Sequence, residues 1–201
     1  LPLEMEQLVA EESMGFNIDL NHEFVLASGA TLDINLLLFT TRVDNPLRLV
    51  EVGDQQFAYR QPDDFLETQG AELGVVWRWN DFKYFFGYTH ADVQEHTATR
   101  VRMAPLMPKD RVNNVFVYER EDDFRIGLEA YYYGRQGLTD GSMARDFWIF
   151  GLMMEKTIDE DFSIFLNFEN FSDTRQTRFG SIYTGSRLNP IFADIFAPLD
   201  G

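Results

Sequence analysis

The densest group of metal-friendly side chains is His90-Ala-Asp92-x-x-Glu95-His96. Imidazole and carboxylate are suitable donors, but a metal site needs a fixed geometry, and this spacing matches no strong metal motif. The group sits where a strand enters a long loop, so solvated loop residues are the simpler reading, and no metal is expected. An acidic set, Asp44, Glu51, Asp54, Asp63 and Asp64, could draw cations or basic ligand groups through its field. Keeping an exposed loop soluble is the reading we favour for it. A third group is Glu129, Tyr131, Tyr133 and Arg135, which share one face if the segment is extended. Aromatic rings beside a guanidinium suit a siderophore or a glycan, through stacking and charge-assisted hydrogen bonds. These four are the candidate ligand-binding residues; a structural network with Glu169 is the alternative, and the residue types favour it.

No catalytic constellation accompanies them. There is no Cys, no Gly-x-Ser-x-Gly elbow, no phosphate-cradling loop and no dinucleotide fingerprint. No enzyme and no cofactor are expected.

The elements that carry these residues read as strands. Met14, Phe16, Ile18 and Leu20 alternate with Gly15, Asn17, Asp19 and Asn21, a period of two with one apolar face. Leu32, Ile34, Leu36 and Leu38 repeat it, as do Leu73, Val75, Trp77 and Trp79. Ile126, Leu128, Ala130 and Tyr132 oppose Gly127, Glu129, Tyr131 and Tyr133. The expected strands are 13–27, 31–43, 66–79, 82–92, 111–120, 124–136, 147–158 and 162–172. Many are close to the 9–11 residues that a tilted membrane strand needs.

The connections sort by length. Short acidic turns fall near Ser28-Gly29, Asn80-Asp81, Glu121-Asp122-Asp123 and Asp159-Glu160-Asp161. Long connections run roughly Asp44–Asp64, Ala91–Arg111, Gly137–Arg145 and Ser172–Pro198. A membrane β-barrel has short turns on one side and long loops on the other. The expected fold class is therefore all-β, an antiparallel meander of about eight transmembrane strands from a larger up-and-down barrel.

Composition agrees. The chain has 201 residues, 19 of them Phe, and aromatics favour pleated, half-buried surfaces. A net charge of -16 argues against nucleic acid as a partner. No apolar run is long enough for a membrane helix, a test that β-barrel strands escape.

Several segments resemble one family. Leu8–Leu49 is similar to a barrel hairpin of TonB-dependent outer-membrane receptors, through Glu12, Ser13, Gly15, Phe16 and Asn17, then Arg42, Asp44, Asn45 and Pro46. Asn167–Arg175 resembles the family's penultimate-strand motif, and Glu67–Val76, Arg111–Glu119 and Ile126–Gln136 resemble its late strands. The resemblance implies a carboxy-terminal part of the barrel, without the plug and without the final strand. It implies active uptake of a scarce ligand: an iron-siderophore, a cobalamin-like cofactor or a glycan. The implied partners are outer-membrane lipid of a Gram-negative bacterium, the extracellular ligand and, through the missing plug, the TonB system. It places the short turns in the periplasm and the long loops outside.

Two rivals stay open: a small eight-stranded outer-membrane barrel acting as an adhesin or structural protein, and a soluble β-barrel that binds a small ligand. Extraction separates the last from the others. Both membrane readings predict that the protein is recovered only with detergent; full recovery in detergent-free buffer would favour the soluble binder.

Overall fold

The computed structural model describes residues 8–53, 56–61, 64–105, 107–121, 123–138, 143–175, 183–186 and 189–192. Every element among the described residues is a strand. The chain runs β1 (Glu12–Val25), β2 (Thr31–Asp44), β3 (Arg48–Gly53), β4 (Gln56–Arg60), β5 (Phe65–Trp79) and β6 (Phe82–His96). It continues through β7 (Val101–Met103), β8 (Asp110–Arg120), β9 (Phe124–Tyr133), β10 (Phe147–Asp159) and β11 (Phe162–Phe168). Two short strands follow, β12 (Tyr183–Ser186) and β13 (Asn189–Phe192).

The main sheet is an antiparallel meander in the order β1-β2-β5-β6-β8-β9-β10-β11, with β7 paired to β6. The all-β meander is as the alternation predicts. β3 and β4 pair with each other, as do β12 and β13. The segment expected to be one long loop after Ser172 thus holds a hairpin. β6 runs on to His96, beyond the expected 92, because its last residues pair with Phe65–Gln69 on one side and β7 on the other. β9 stops at Tyr133, before the expected 136; there Gly134 donates its N–H to the Asp110 carbonyl at 2.8 Å.

Register joins the apolar stripes of neighbouring strands into one band across the sheet. Ile18 pairs with Leu38, Leu38 with Ala71, Leu36 with Leu73, and Leu73 with Tyr88. Further along, Phe116 pairs with Leu128, Leu128 with Leu152, and Leu152 with Phe168. The opposite face carries Asp19, Asp33, Glu72, Arg78, Glu129 and Glu155. Since side chains alternate across a strand, a slip of one residue in any pairing would mix the faces.

The sheet is a single layer. Among the described residues the only buried hydrophobics are Ala30, Ala104, Val117 and Phe147. Phe16, Ile18, Leu20, Leu38, Leu128, Ile164 and Leu166 are exposed. A water-soluble domain needs a second layer over such a face; a lipid-facing wall does not.

The short connections are tight where local chemistry allows it. Asn80 takes a left-handed φ of 49° in the two-residue turn between β5 and β6, and Gly29 one of 80° between β1 and β2. Aromatic side chains gather near both edges of the apolar face. Trp77, Trp79, Phe82 and Tyr118 contact one another in a row beside the short turns, with centroids 5.2–6.5 Å apart. Tyr132, Trp148, Phe150 and Phe171 do so toward the long loops at 5.1–6.1 Å. The outer face of a membrane barrel is an apolar band flanked by aromatic girdles at both interfaces.

The two faces should respond oppositely to charge. Leu128→Arg, in mid-band, is expected to cost about 2–4 kcal/mol of stability in lipid, and Asn113→Arg on the other face less than about 1. Urea unfolding in liposomes checks this; equal costs would refute the assignment of faces.

Candidate functional site

The polar face is the candidate binding surface. Beside the short turns it is closed by ion pairs. Arg78 meets Asp33, Lys83 and Arg125 both meet Glu119, and Arg125 also reaches Glu155 at 3.6 Å. These pairs satisfy one another and leave little capacity for a ligand. In the adjacent turn, the Asp123 carboxyl is held below its ordinary range chiefly by the Lys156 ammonium, then by Arg120. Its pairing contributes stability above the ordinary aspartate range and loses it as pH falls through the lowered value.

Further toward the long loops the face changes character. One row across the strands reads Asn21, Asn35, Gly74, Gly87, Asn113, Tyr131. Asn35 and Asn21 donate their amides to Asp19 at 2.6 and 3.2 Å. A Cβ on Gly74 or Gly87 would meet nothing nearer than 3.7 Å, so the row has an open step at its middle. Glycine within a strand often marks where a ligand or another backbone comes close. The next row reads Glu72, Thr89, Arg111, Tyr133, Phe147. Tyr133 stacks on Phe147 with centroids 5.1 Å apart.

Of the sequence candidates, Glu129, Tyr131 and Tyr133 lie together on this face of β9, and Tyr131 hydrogen-bonds to Glu129. The Glu129 carboxylate lies over Gly151, where a Cβ would come within 2.9 Å of Oε2. Arg135 lies beyond the end of β9 and is exposed. The guanidinium in register with Tyr133 belongs to Arg111, the neighbour on β8. Glu169 follows β11 and accepts the Asn167 amide at 2.9 Å. Sequence reasoning missed Arg111, Asn113 and the facing glycines, since only strand pairing shows that they are neighbours; their parity, opposite to Val112 and Phe116, was the available signal.

The long-loop bases are knitted together above this surface. Glu95, 8% exposed, accepts Arg102 Nε at 2.5 Å and lies 3.0 Å from Arg48 Nη1. One carboxylate therefore ties β3 and β7 to β6. Gln61 bonds both the Val9 backbone and the Asn45 carbonyl, and Gln136 pairs with Pro108.

The histidine-acid motif is split by strand parity. His90, Asp92 and His96 lie on the apolar side of the sheet and Glu95 on the other. His90 Nδ1 lies 2.8 Å from Asp110, His96 Nε2 3.2 Å from Glu67, and Asp92 2.6 Å from Lys109 Nζ. No group of three metal-ligating residues occurs among the described residues. In the acidic loop set, Asp44 pairs with Arg42 and Asp64 lies 3.9 Å from Arg48, while the side chains of Glu51, Asp54 and Asp63 are outside the described residues.

Comparison with known proteins places these features. A family model described as TonB dependent receptor-like, beta-barrel matches residues 6–171. No curated protein matches the chain. Among solved structures, the ferric-catecholate import receptor Fiu of E. coli K12 is 16% identical with a TM-score of 0.56, over 81% of this chain and 24% of that one. The pyoverdine outer-membrane receptor FpvA of Pseudomonas aeruginosa PAO1 is 17% identical with a TM-score of 0.57, over 91% and 28%. The FpvAI–pyocin S2 complex gives 17% and 0.60, over 92% and 25%. The chain spans about a quarter of the length of these structures.

The Glu95 clip makes a prediction about the loops. Glu95→Gln should raise trypsin cleavage at Arg60 and Arg100 roughly tenfold, equivalent to about 1.4 kcal/mol of lost closure. Unchanged cleavage would mean that other contacts hold the loops.

Proposed function

The chain belongs to the TonB-dependent receptor β-barrel family, and from that premise we propose that it forms barrel wall, lumen lining and extracellular loops of an outer-membrane receptor for active ligand uptake. The apolar face meets lipid, the polar face lines the lumen, the short turns are periplasmic and the long loops are extracellular. The observation that carries this reading is the shared parity of the eight strands of the main sheet, with the connections that bear β3–β4 and β7 at one end.

Of the three ligand classes, an iron-siderophore is best supported. The ferric-catecholate import receptor and the pyoverdine receptor are both structural neighbours. The inner face offers what such a ligand needs: stacked aromatic rings, a guanidinium and a hydrogen-bonding strip with a glycine step. Here Tyr131 and Tyr133 would contact the ligand, Arg111 would hold its negative charge, and Glu129 would orient Tyr131. Arg135, at the strand's far end, would meet the ligand on entry. TonB would act through the plug of the whole receptor.

Neither rival gains support. Within the described residues β1 and β11 do not pair with each other, which counts against an eight-stranded barrel closed by these strands. The broad exposed apolar face counts against a soluble binder.

The test is ligand binding by the full-length receptor. Tyr131→Ala with Tyr133→Ala should weaken binding of a ferric siderophore about tenfold to a hundredfold, from losing two stacking rings, and Arg111→Gln about tenfold. Leu128→Met, on the other face, should leave it unchanged. Uniform effects, or none, would overturn the proposed lining; failure to bind any siderophore while binding a glycan would move the ligand class.

A further inference from the structure

On the inner face, the charges beside the short turns neutralise one another. Arg78 has Asp33, and Lys83 and Arg125 share Glu119. Nearer the long loops that balance stops. Glu72 on β5 and Arg111 on β8 lie in one row, with Thr89 of β6 between them. The row continues to Leu37 on one side and Tyr133 on the other, so neither charge has an opposite charge beside it. Both residues are exposed, and among the described residues neither side chain makes an ion pair or a hydrogen bond.

The space beside them suits a small group. Two positions nearer the short turns, the same three strands read Gly74, Gly87, Asn113. A Cβ on either glycine would meet nothing nearer than 3.7 Å, so the floor next to Thr89 is bare. Strands about 4.8 Å apart place the Cα atoms of Glu72 and Arg111 about 10 Å from each other. Side chains on one face stand roughly perpendicular to the sheet, so the charged heads are separated by a similar span. Hydrogen bonds of about 3 Å at each end leave roughly 4 Å for a ligand. An ammonium and a carboxylate carried on one carbon atom fit that gap.

We propose that Glu72 and Arg111 form a two-point site for a dipolar α-amino-acid group of the ligand, with its ammonium at Glu72 and its carboxylate at Arg111. The inference rests on the siderophore reading of this face and adds to it a chemical feature of the ligand. Arg111 offers paired N–H donors to the carboxylate, and Glu72 accepts from the ammonium. The Thr89 hydroxyl, between them, serves either group. A ligand with the carboxylate alone faces repulsion from Glu72, and one with the ammonium alone faces repulsion from Arg111. The site therefore selects against both singly charged analogues.

Isothermal titration calorimetry of the full-length receptor in detergent tests it. The probe is ferrioxamine B coupled through its amine to the γ-carboxyl of glutamate, which leaves the α-ammonium and α-carboxylate free. The comparators are the N-acetyl and α-carboxamide forms of the same conjugate, each lacking one charge. The parent should bind the probe about tenfold more tightly than either comparator. Glu72→Gln should lower probe binding to the N-acetyl level without weakening the N-acetyl form. Arg111→Gln should lower it to the carboxamide level without weakening the carboxamide. Equal binding of all three by the parent would overturn the charge pair and leave the siderophore reading standing. Variants that weaken probe and comparators by the same factor would also overturn it, since a two-point site acts on the probe alone. Binding none of the three while holding another ferric siderophore would remove this inference; holding no ferric siderophore would take the reading beneath it as well.

Discussion

Seven successive strand pairings in this sheet keep the same side-chain parity, apart from a one-residue shift at Thr157/Asp159 beside the β10–β11 turn, and everything else depends on that. Each pairing joins an even-numbered or odd-numbered set to the matching set of its neighbour, so the apolar stripes merge into one surface. The backbone is satisfied at the same time, because antiparallel pairing occupies the N–H and C=O groups along both sides of an interior strand. A membrane tolerates neither an orphaned backbone dipole nor a stray charge at mid-depth. One register answers both demands, and a single slip would fail both.

The same parity sorts the chemistry. Charges on the inner side form ion pairs beside the short turns, while asparagine, glycine, tyrosine and arginine occupy the rows nearer the long loops. The result is a surface that is electrostatically closed at one end and open to hydrogen bonding at the other. Above it, Glu95 joins two loop strands through Arg48 and Arg102. A buried carboxylate with two guanidiniums is stable only while all three are present, so the loops share one anchor. On the outer side, His90 and Lys109 mark where the polar rim begins.

The sequence carried the alternation, the turn asymmetry and hence the fold, because period two and loop length are local properties. The family motifs at Leu8–Leu49 and Asn167–Arg175 were legible for the same reason. What was not legible is non-local. Arg111 lies 22 positions before Tyr133, and only the β8–β9 register brings them side by side. Arg135 continued the alternation on paper, but Gly134 ends the strand before it. Arg48, at the start of β3, and Glu95, near the end of β6, are far apart in sequence and meet only in the fold. The histidine-acid motif looked like one cluster because spacing alone does not reveal that strand parity puts Glu95 on the other face.

The central claim is that even-numbered positions of β9 meet lipid and odd-numbered ones a watery lumen. The chain has no cysteine, so single reporters can be placed without background from it. Nitroxide labels at residues 126 through 131 of the full-length receptor in lipid vesicles should show collision with oxygen at 126, 128 and 130. Collision with a water-soluble nickel chelate should peak at 127, 129 and 131. Loss of the two-residue period, or its reversal, would contradict the account.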